Sequence, residues 1–344
     1  MSKNFLYRAV TIGLAVAGLG IVALTVGYNS FYGNAVKKES SIFVDSQTSY
    51  DSLCEQVCVA IGDRGLKKSA FNLYASRINL EKRFKTGHYR IEDGMSVIRI
   101  ARVLALGEQT PIRVVVGGAR IIPQLASKLA CQISADSAEI VKTLYNKEVR
   151  ASHGFVRDSI IALFIPNTYE IYWDITPEQL LQRMHREYDA FWNEERDAKR
   201  KTLKMSRYEV MTLASIVYEE TKATDEMLRV AGVYINRLRK GMPLQADPTV
   251  KYALQDFGLK RVLRKHLKHK SPHNTYLNRG LPPSPICIPS IAAIDAVLNF
   301  EKHNYIFFCA RPEFDGRHNF ARTLSEHNAN ARAYANALNK RNIK

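Results

Sequence analysis

The stretch LASIVYEETK, residues 213–222, decides how the larger part of this chain is read. It closes a run of helical spacing, SRYEVMTLASIVYEE, and places two adjacent glutamates at the end of a segment that otherwise reads as buried. On a helix, positions i, i+3, i+4 and i+7 share a face. Counting back from Glu220 meets Val217, Ile216 and Leu213, whereas counting back from Glu219 meets Ser215 and Thr212. Glu220 is therefore expected to face inward and Glu219 to be solvated. An ionised carboxylate in apolar surroundings is costly, so it finds a partner or its pKa rises toward neutrality. A raised carboxyl pKa suits a general acid for glycosidic or acyl chemistry. The alternative is that Glu220 sits at the helix end, pairs with an arginine and only holds the fold.

Helical signals dominate on both sides of this stretch. Upstream lie PQLASKLACQI, SAEIVKTLY and TPEQLLQRMHREYDAFWNEERDAKR, the last read as one helix, with the aromatic segment LFIPNTYEIYW before it. Downstream, Thr224 with Asp225 and Glu226 opens DEMLRVAGVYINRLRK, which Gly241 closes. The loop SPHNTYLNRGLPPSPICIPS has the Asn, Tyr, Gly and Pro content of a rigid ligand-facing surface. NYIFFCA reads as a strand, and GRHNFARTLSEHNANARAYANAL as a closing segment and helix. Nearer the amino terminus, SIFV, HYRI and PIRVVV read as strands around the helices YDSLCEQVCVAI, AFNLYASRI and SVIRIARVLALG, with Ser96 as N-cap and Gly107 as stop. The fold class is α+β: a small module ending near residue 117, then a larger, mostly helical unit.

From Ala9 to Val36 no residue is charged, and about 20 apolar residues span a bilayer. The run is longer than a secretory signal core and shows no convincing cleavage site. It predicts an uncleaved single-pass transmembrane anchor over residues 9–30. Lys3 and Arg8 precede it, so residues 1–8 are expected to stay in the cytoplasm and the remainder to lie outside. The 344 residues carry 50 Lys and Arg against 33 Asp and Glu, a net +17, which in a cytoplasmic protein would raise nucleic-acid binding. Beyond a membrane the polyanions are lipid headgroups and a carboxylate-bearing wall, and no nucleic-acid partner is expected. The densest patch, LKRVLRKHLKHK at 259–270, reads as a solvated amphipathic helix face in preference to an anion site. Cys54, Cys58, Cys131, Cys287 and Cys309 define no disulfide framework, and no HExxH, paired CxxC or His cluster at ligand spacing appears. No cofactor and no metal are expected.

The series LASIVYEET, AGVYINRLRKGMPLQADPTVKYAL, SPHNTYLNRGLPPSPICIPS and DGRHNF with SEHN, in this order, resembles the endolytic murein transglycosylase family. These are membrane-anchored enzymes with a YceG-like catalytic domain. The likeness covers nearly the whole chain and implies a LysM-like module over residues 41–117 and the YceG-like catalytic domain over residues 118–340. It implies an enzyme of the cell (inner) membrane with its catalytic domain on the periplasmic side. Such an enzyme cuts peptidoglycan strands internally between N-acetylmuramic acid and N-acetylglucosamine and leaves 1,6-anhydromuramic ends, terminating or trimming nascent strands. The catalytic glutamate of the family is the one just before Thr, which maps to Glu220, in agreement with the face reading. Tyr218 stands where many relatives carry a second acidic residue and is taken as non-catalytic. VVVGGARIIPQLA lacks the Glu-Gly pair common in the family.

A hydrolase normally needs two carboxylates, and Glu219 cannot supply the second because adjacent helical residues diverge by about 100°. A lytic transglycosylase manages with one: Glu220 protonates the leaving oxygen, then takes the proton of the muramoyl C6 hydroxyl as that oxygen attacks C1. From the family blocks, Gln245, Asp247, Asn274 and Tyr276 are candidate hydrogen-bond partners and oxocarbenium stabilisers. Alternatively Asp247 caps the segment starting at Pro248 and Asn274 fixes a turn. Asn236 and Arg237 follow on the next helix, with Arg237 either a structural ion-pair partner or a ligand for stem-peptide carboxylates. His318 and Asn319 are further substrate-binding candidates, and Tyr169, Tyr172 and Trp173 either stack on sugars or fill the core. The expected partners are glycan strands, membrane lipid through the anchor, and peptidoglycan synthases or division proteins. The rival reading is a non-catalytic, membrane-tethered glycan-binding scaffold.

Overall fold

The computed structural model describes residues 3–63, 65–155 and 157–340. The chain divides into two compact units, Met1–Arg113 with Glu170–Ile175, and Val114–Tyr169 with Thr176–Lys344.

The first unit opens with helix α1 (Lys3–Tyr32), whose stretch Val10–Tyr32 is long and apolar enough to cross a membrane. Leu14, Leu19, Ile21 and Leu24 are all exposed along it, as lipid-facing residues would be. Its last turn is held by the unit's own residues: Lys67 Nζ donates to the carbonyls of Asn29 and Gly33, and Ala35 N donates to Met95 O at 2.7 Å. The elements that follow are β1 (Ser40–Val44), α2 (Tyr50–Ile61), α3 (Leu66–Arg77), β2 (Gly87–Ile91) and α4 (Val97–Leu106). β1 and β2 pair antiparallel with Ile42 opposite Tyr89, and both side chains are buried with Leu53, Phe71, Ile100 and Leu104. Ser96 caps α4 by accepting from Arg99 N, and Gly107 ends it at φ 73°, a left-handed turn that glycine adopts without strain.

The strands β3 (Ile112–Val116) and β4 (Asn167–Ile171) form a second two-stranded sheet. Between them in sequence lie α5 (Ile122–Ala130), α6 (Ser137–Tyr145) and the short α7 (Lys147–Ser152). Residues 177–203 are not one helix but two, α8 (Pro177–Phe191) and α9 (Glu194–Leu203). Asn193 accepts from Arg196 N and restarts the helix. The break buries Trp192 and turns Arg196 to pair with Asp295.

The core of the second unit is α10 (Arg207–Glu220), packed by α11 (Thr224–Arg239), α12 (Asp247–Leu254) and α14 (Ile291–Leu298). Between the last two lies α13 (Arg264–Leu267). The basic patch is therefore not an amphipathic helix. Only these four residues coil, with exposed Leu263 beside them. Eight consecutive residues of α10, Val210–Val217, are buried, so the helix is enclosed on every side. α14 is likewise buried nearly all round, which removes the periodic signal that would mark it in sequence. The chain closes with the antiparallel pair β5 (Phe307–Ala310) and β6 (His318–Ala321), then α15 (Leu324–Lys340).

Candidate active site

Glu220 is the last residue of α10, which starts with a capping box between Ser206 and Glu209 and ends as Thr221 turns extended. Its carboxyl lines a cavity of about 480 Å³ in the second unit, a volume within the range of ligand sites. Tyr234, one helix on in α11, donates its phenol to Glu220 Oε1 at 2.6 Å. Burial pushes the Glu220 pKa up to about 7; the Tyr234 bond pulls it down, and the Asp247 charge pushes it up again. At neutral pH the group is therefore divided between acid and base forms. The arginine-paired alternative is not what the structure holds, since the direct partner is a neutral phenol.

Glu219 departs from its expected solvated position. It accepts from Arg120 Nε and Nη2 at 3.3 and 2.8 Å, and its side chain is 17% exposed. Thr212 and Ser215, whose polarity suggested a wet face, are fully buried. Each returns its hydroxyl to a carbonyl of its own helix, Thr212 to Tyr208 O and Ser215 to Thr212 O, so neither needs solvent. Arg120 also stands 5.2 Å from the Phe257 ring centroid. Because this pair faces a different, smaller recess from the Glu220 cavity, Glu219→Gln is expected to keep any activity that depends on Glu220 within about threefold, losing about 1 kcal/mol of stability. Parallel rate and melting measurements check this, and an inactive but folded variant would contradict it.

Gln245, Asp247 and Tyr276 line the same cavity as Glu220. Tyr276 donates to Asp247 Oδ1 at 2.6 Å, and burial with the neighbouring carboxylate holds its phenol protonated far above the usual range. Asp247 is the first residue of α12 and makes no side-chain cap. Gln245 takes φ 52°, an uncommon left-handed conformation for a side-chain-bearing residue, with its N–H bonded to Thr275 O. Because Asp247 raises the Glu220 pKa, Asp247→Asn is expected to move the alkaline limb of the pH–rate profile of any acid catalysis by Glu220 to lower pH and to slow it roughly 10–100-fold. An unmoved limb would contradict the coupling.

Arg237 borders the cavity with its Nε and Nη1 donors occupied. They reach Ile306 O at 2.6 Å, Leu244 O at 2.8 Å, Pro243 O at 3.3 Å and Gln245 Oε1 at 3.3 Å. Among the described residues it has no ion-pair partner, and these four contacts hold the cavity wall. Asn236 and Asn274 do not line the cavity. Asn236 Nδ2 bonds His303 O and Tyr305 O, while fully buried Asn274 bonds Leu267 O and His269 O and accepts from Tyr276 N. Asn274 thereby shapes the turn that carries Tyr276. Tyr169 is buried, its hydroxyl on Ile165 O at 2.8 Å.

His318 lines the cavity from β6. Its Nδ1 lies 3.0 Å from Glu226 Oε2, and its backbone N–H donates to Glu226 Oε1 at 3.0 Å. Sequence reasoning left out Glu226 as a site element, Tyr234, and the far wall of Phe307, Phe308, His327 and Asn328. A signal for Tyr234 was present: it continues the apolar stripe Met227, Val230, Ala231 of α11, where a phenol needs a buried partner. Among the described residues no group of three or more His, Cys, Asp or Glu could hold a metal ion.

The amino-terminal helix is long and apolar enough to cross a membrane, and the second unit carries a carboxyl of raised pKa at its cavity wall, an arrangement suited to acid catalysis. The sequence matches the YceG-like family over residues 47–333, and the chain belongs to that family. It is 26% identical over 340 residues to the endolytic murein transglycosylase of Bacillus subtilis (strain 168), covering 92% of this chain and 93% of that one. It is 31% identical over 177 residues to the endolytic murein transglycosylase of Streptococcus pneumoniae serotype 2 (strain D39 / NCTC 7466), covering 50% of this chain and 32% of that longer protein. The crystal structure of a YceG-like protein from Listeria monocytogenes superposes with a TM-score of 0.56 at 28% identity, covering 85% of this chain and 99% of that one.

Proposed function

We propose that this protein is a peptidoglycan lytic transglycosylase that cuts within glycan strands between N-acetylmuramic acid and N-acetylglucosamine and leaves 1,6-anhydromuramic ends. The observation that carries the reading is Glu220, half-buried, bonded to a phenol and with its pKa pushed up to about 7 at the cavity wall. Protonated Glu220 delivers its proton to the leaving glycosidic oxygen, and the C1–O bond breaks. Positive charge grows at C1, near the Asp247 carboxylate that Tyr276 steadies. The C6 hydroxyl oxygen then closes on C1, and its proton passes to a base in the cavity, for which ionised Glu220 is available. Gln245 is a further hydrogen-bond partner for the sugar, whereas Asn236, Arg237 and Asn274 act by holding the walls.

The anchor of residues 9–30 would hold the catalytic domain of residues 118–340 on the outer face of the cell membrane, with residues 1–8 in the cytoplasm. The module of residues 41–117 would serve as a LysM-like glycan contact, and synthases or division proteins that make the strands are the natural protein partners. A second reading has a specific basis: Asp247 is a second carboxylate in the same cavity, as a hydrolase that adds water requires. Cleavage by the full chain in detergent, run in water enriched in oxygen-18, separates the two. Products that carry no label and are one water lighter support the transglycosylase. Labelled reducing ends support the hydrolase, and no cleavage supports the scaffold.

A further inference from the structure

Helix α1 does not end in a free linker. Ala35, just past it, belongs to the core of the first unit with Leu53, Phe71 and Ile100, and Phe31 and Val36 pack against that core. Lys67, in the first turn of α3, donates its ammonium to the carbonyls of Asn29 and Gly33, at the end of α1 where carbonyls outnumber helical donors. Lys37 and Lys38 both donate their backbone N–H groups to Ala60 O, at 2.7 and 3.1 Å. The turn that joins α2 to α3 is thus pinned beside the point where the chain leaves α1. Its depth follows from the anchor. Asn29 lies within Val10–Tyr32, the stretch long and apolar enough to cross a membrane. Three residues of helix advance about 5 Å, and the headgroup layer on each side of the hydrocarbon is about 5–7 Å deep. An ammonium that reaches Asn29 O therefore lies among the headgroups once α1 spans a bilayer. Tyr28 and Tyr32, both exposed and stacked with centroids 5.0 Å apart, are amphipathic rings of the kind that favour this depth. Leu66, next to Lys67, is 62% exposed, and Lys37 and Lys38 are exposed beside the same turn.

We propose that the α2–α3 turn is a second membrane contact, in which Leu66 inserts below the headgroups and the Lys37 and Lys38 ammonium groups bind the phosphates of anionic phospholipids. The inference rests on the anchor reading and is independent of the chemistry at Glu220. An apolar side chain at the acyl boundary with cations at headgroup level fits an anionic lipid surface, and the surface is continuous with the one α1 already enters. The neighbouring carboxylates do not cancel these two lysines. Glu39 is paired with Arg90 at 3.7 Å, and Asp93 accepts from Asn34 Nδ2 at 2.6 Å. Asp63 shares a recess between α2 and α3 with Lys68, so those two charges offset one another. A single spanning helix leaves a domain free to lift and swivel above the bilayer. The helix end and the turn together fix which side of the first unit faces the lipid.

The test uses the full chain in nanodiscs of phosphatidylcholine containing about 30% phosphatidylglycerol as the anionic lipid. The photoreactive residue p-benzoylphenylalanine replaces Leu66 in one sample and Ile21, exposed midway along the apolar stretch of α1, in another. Lipid adducts formed on illumination are counted and identified by mass spectrometry. Leu66→p-benzoylphenylalanine is expected to give adducts within about threefold of the yield at Ile21. Phosphatidylglycerol is expected to be over-represented in them by roughly twofold or more relative to its share of the disc. Lys37→Gln with Lys38→Gln should keep the adducts at Leu66 and return phosphatidylglycerol to its share. Adducts at Ile21 with none at Leu66 overturn the inference and leave the anchor standing. Adducts at Leu66 without a phosphatidylglycerol preference, or with one that survives loss of both lysines, overturn the headgroup assignment. No adducts at Ile21 overturn the anchor reading itself.

Discussion

Glu220→Gln is expected to lower cleavage of glycan strands by roughly 10³-fold, within the range of a lost general acid, while raising stability at alkaline pH. The sign follows from the pKa. An unfolded glutamate titrates near 4.5, and in the fold burial pushes Glu220 up to about 7. Between these two values the folded chain holds a proton that the unfolded chain has released, so stability falls as pH rises through the window. Above pH 7 the folded state bears the full cost of the buried charge, on the order of 3 kcal/mol at most for such a shift. Glutamine carries no such charge. The variant should therefore melt higher than the parent at pH 8 and lose that advantage by about pH 4.5. A melting difference independent of pH would mean that Glu220 is not held in the environment described here. The catalytic rate of the parent should fall as pH rises above about 7, as the acid form is lost.

Arg237→Lys is expected to be nearly as damaging to the fold as Arg237→Ala. The guanidinium of Arg237 ties β5, through Ile306 O, to the Pro243–Leu244–Gln245 segment that leads into α12. A lysine has three donors on a single nitrogen and cannot span acceptors that lie on both sides of a planar fork. Alanine leaves the buried carbonyls unpaired, at a cost of about 1–3 kcal/mol for each that water cannot reach. The expected loss is about 3–5 kcal/mol, seen as a melting temperature lower by roughly 10 °C. Because Gln245 and Phe307 line the cavity, activity should fall with the fold. A lysine variant with parental melting but weakened binding of strands with free stem-peptide carboxylates would show instead that Arg237 serves the substrate.

Much of this was legible in the residues, and the failures have physical causes. Helix ends were readable where the residue type itself makes the cap, by its side chain at Ser96 and by its left-handed backbone at Gly107. Glu220 was readable because apolar neighbours at i−3, i−4 and i−7 turn its carboxyl away from the polar side, and in the structure it is half-buried at the cavity wall. The same counting misplaced Glu219, since it treated Thr212 and Ser215 as markers of water. Hydroxyls that bond back to their own helix carry no such information. The break at Asn193 was hidden because the residues on either side keep helical spacing and only the cap interrupts them. The far wall of the cavity was the least legible. β5 and α15 reach Glu220 from about a hundred residues away in sequence, and no local pattern in NYIFFCA or SEHN shows that they meet it.

Whether Glu220 is the acid is decided most directly by mass spectrometry of the ends produced when the full chain and its Glu220→Gln variant are incubated with purified glycan strands. Internal fragments with 1,6-anhydromuramic ends are expected from the parent and intact strands from the variant. Fragments with anhydro ends from both proteins would contradict that assignment, because the proton for the leaving oxygen would then come from a residue other than Glu220.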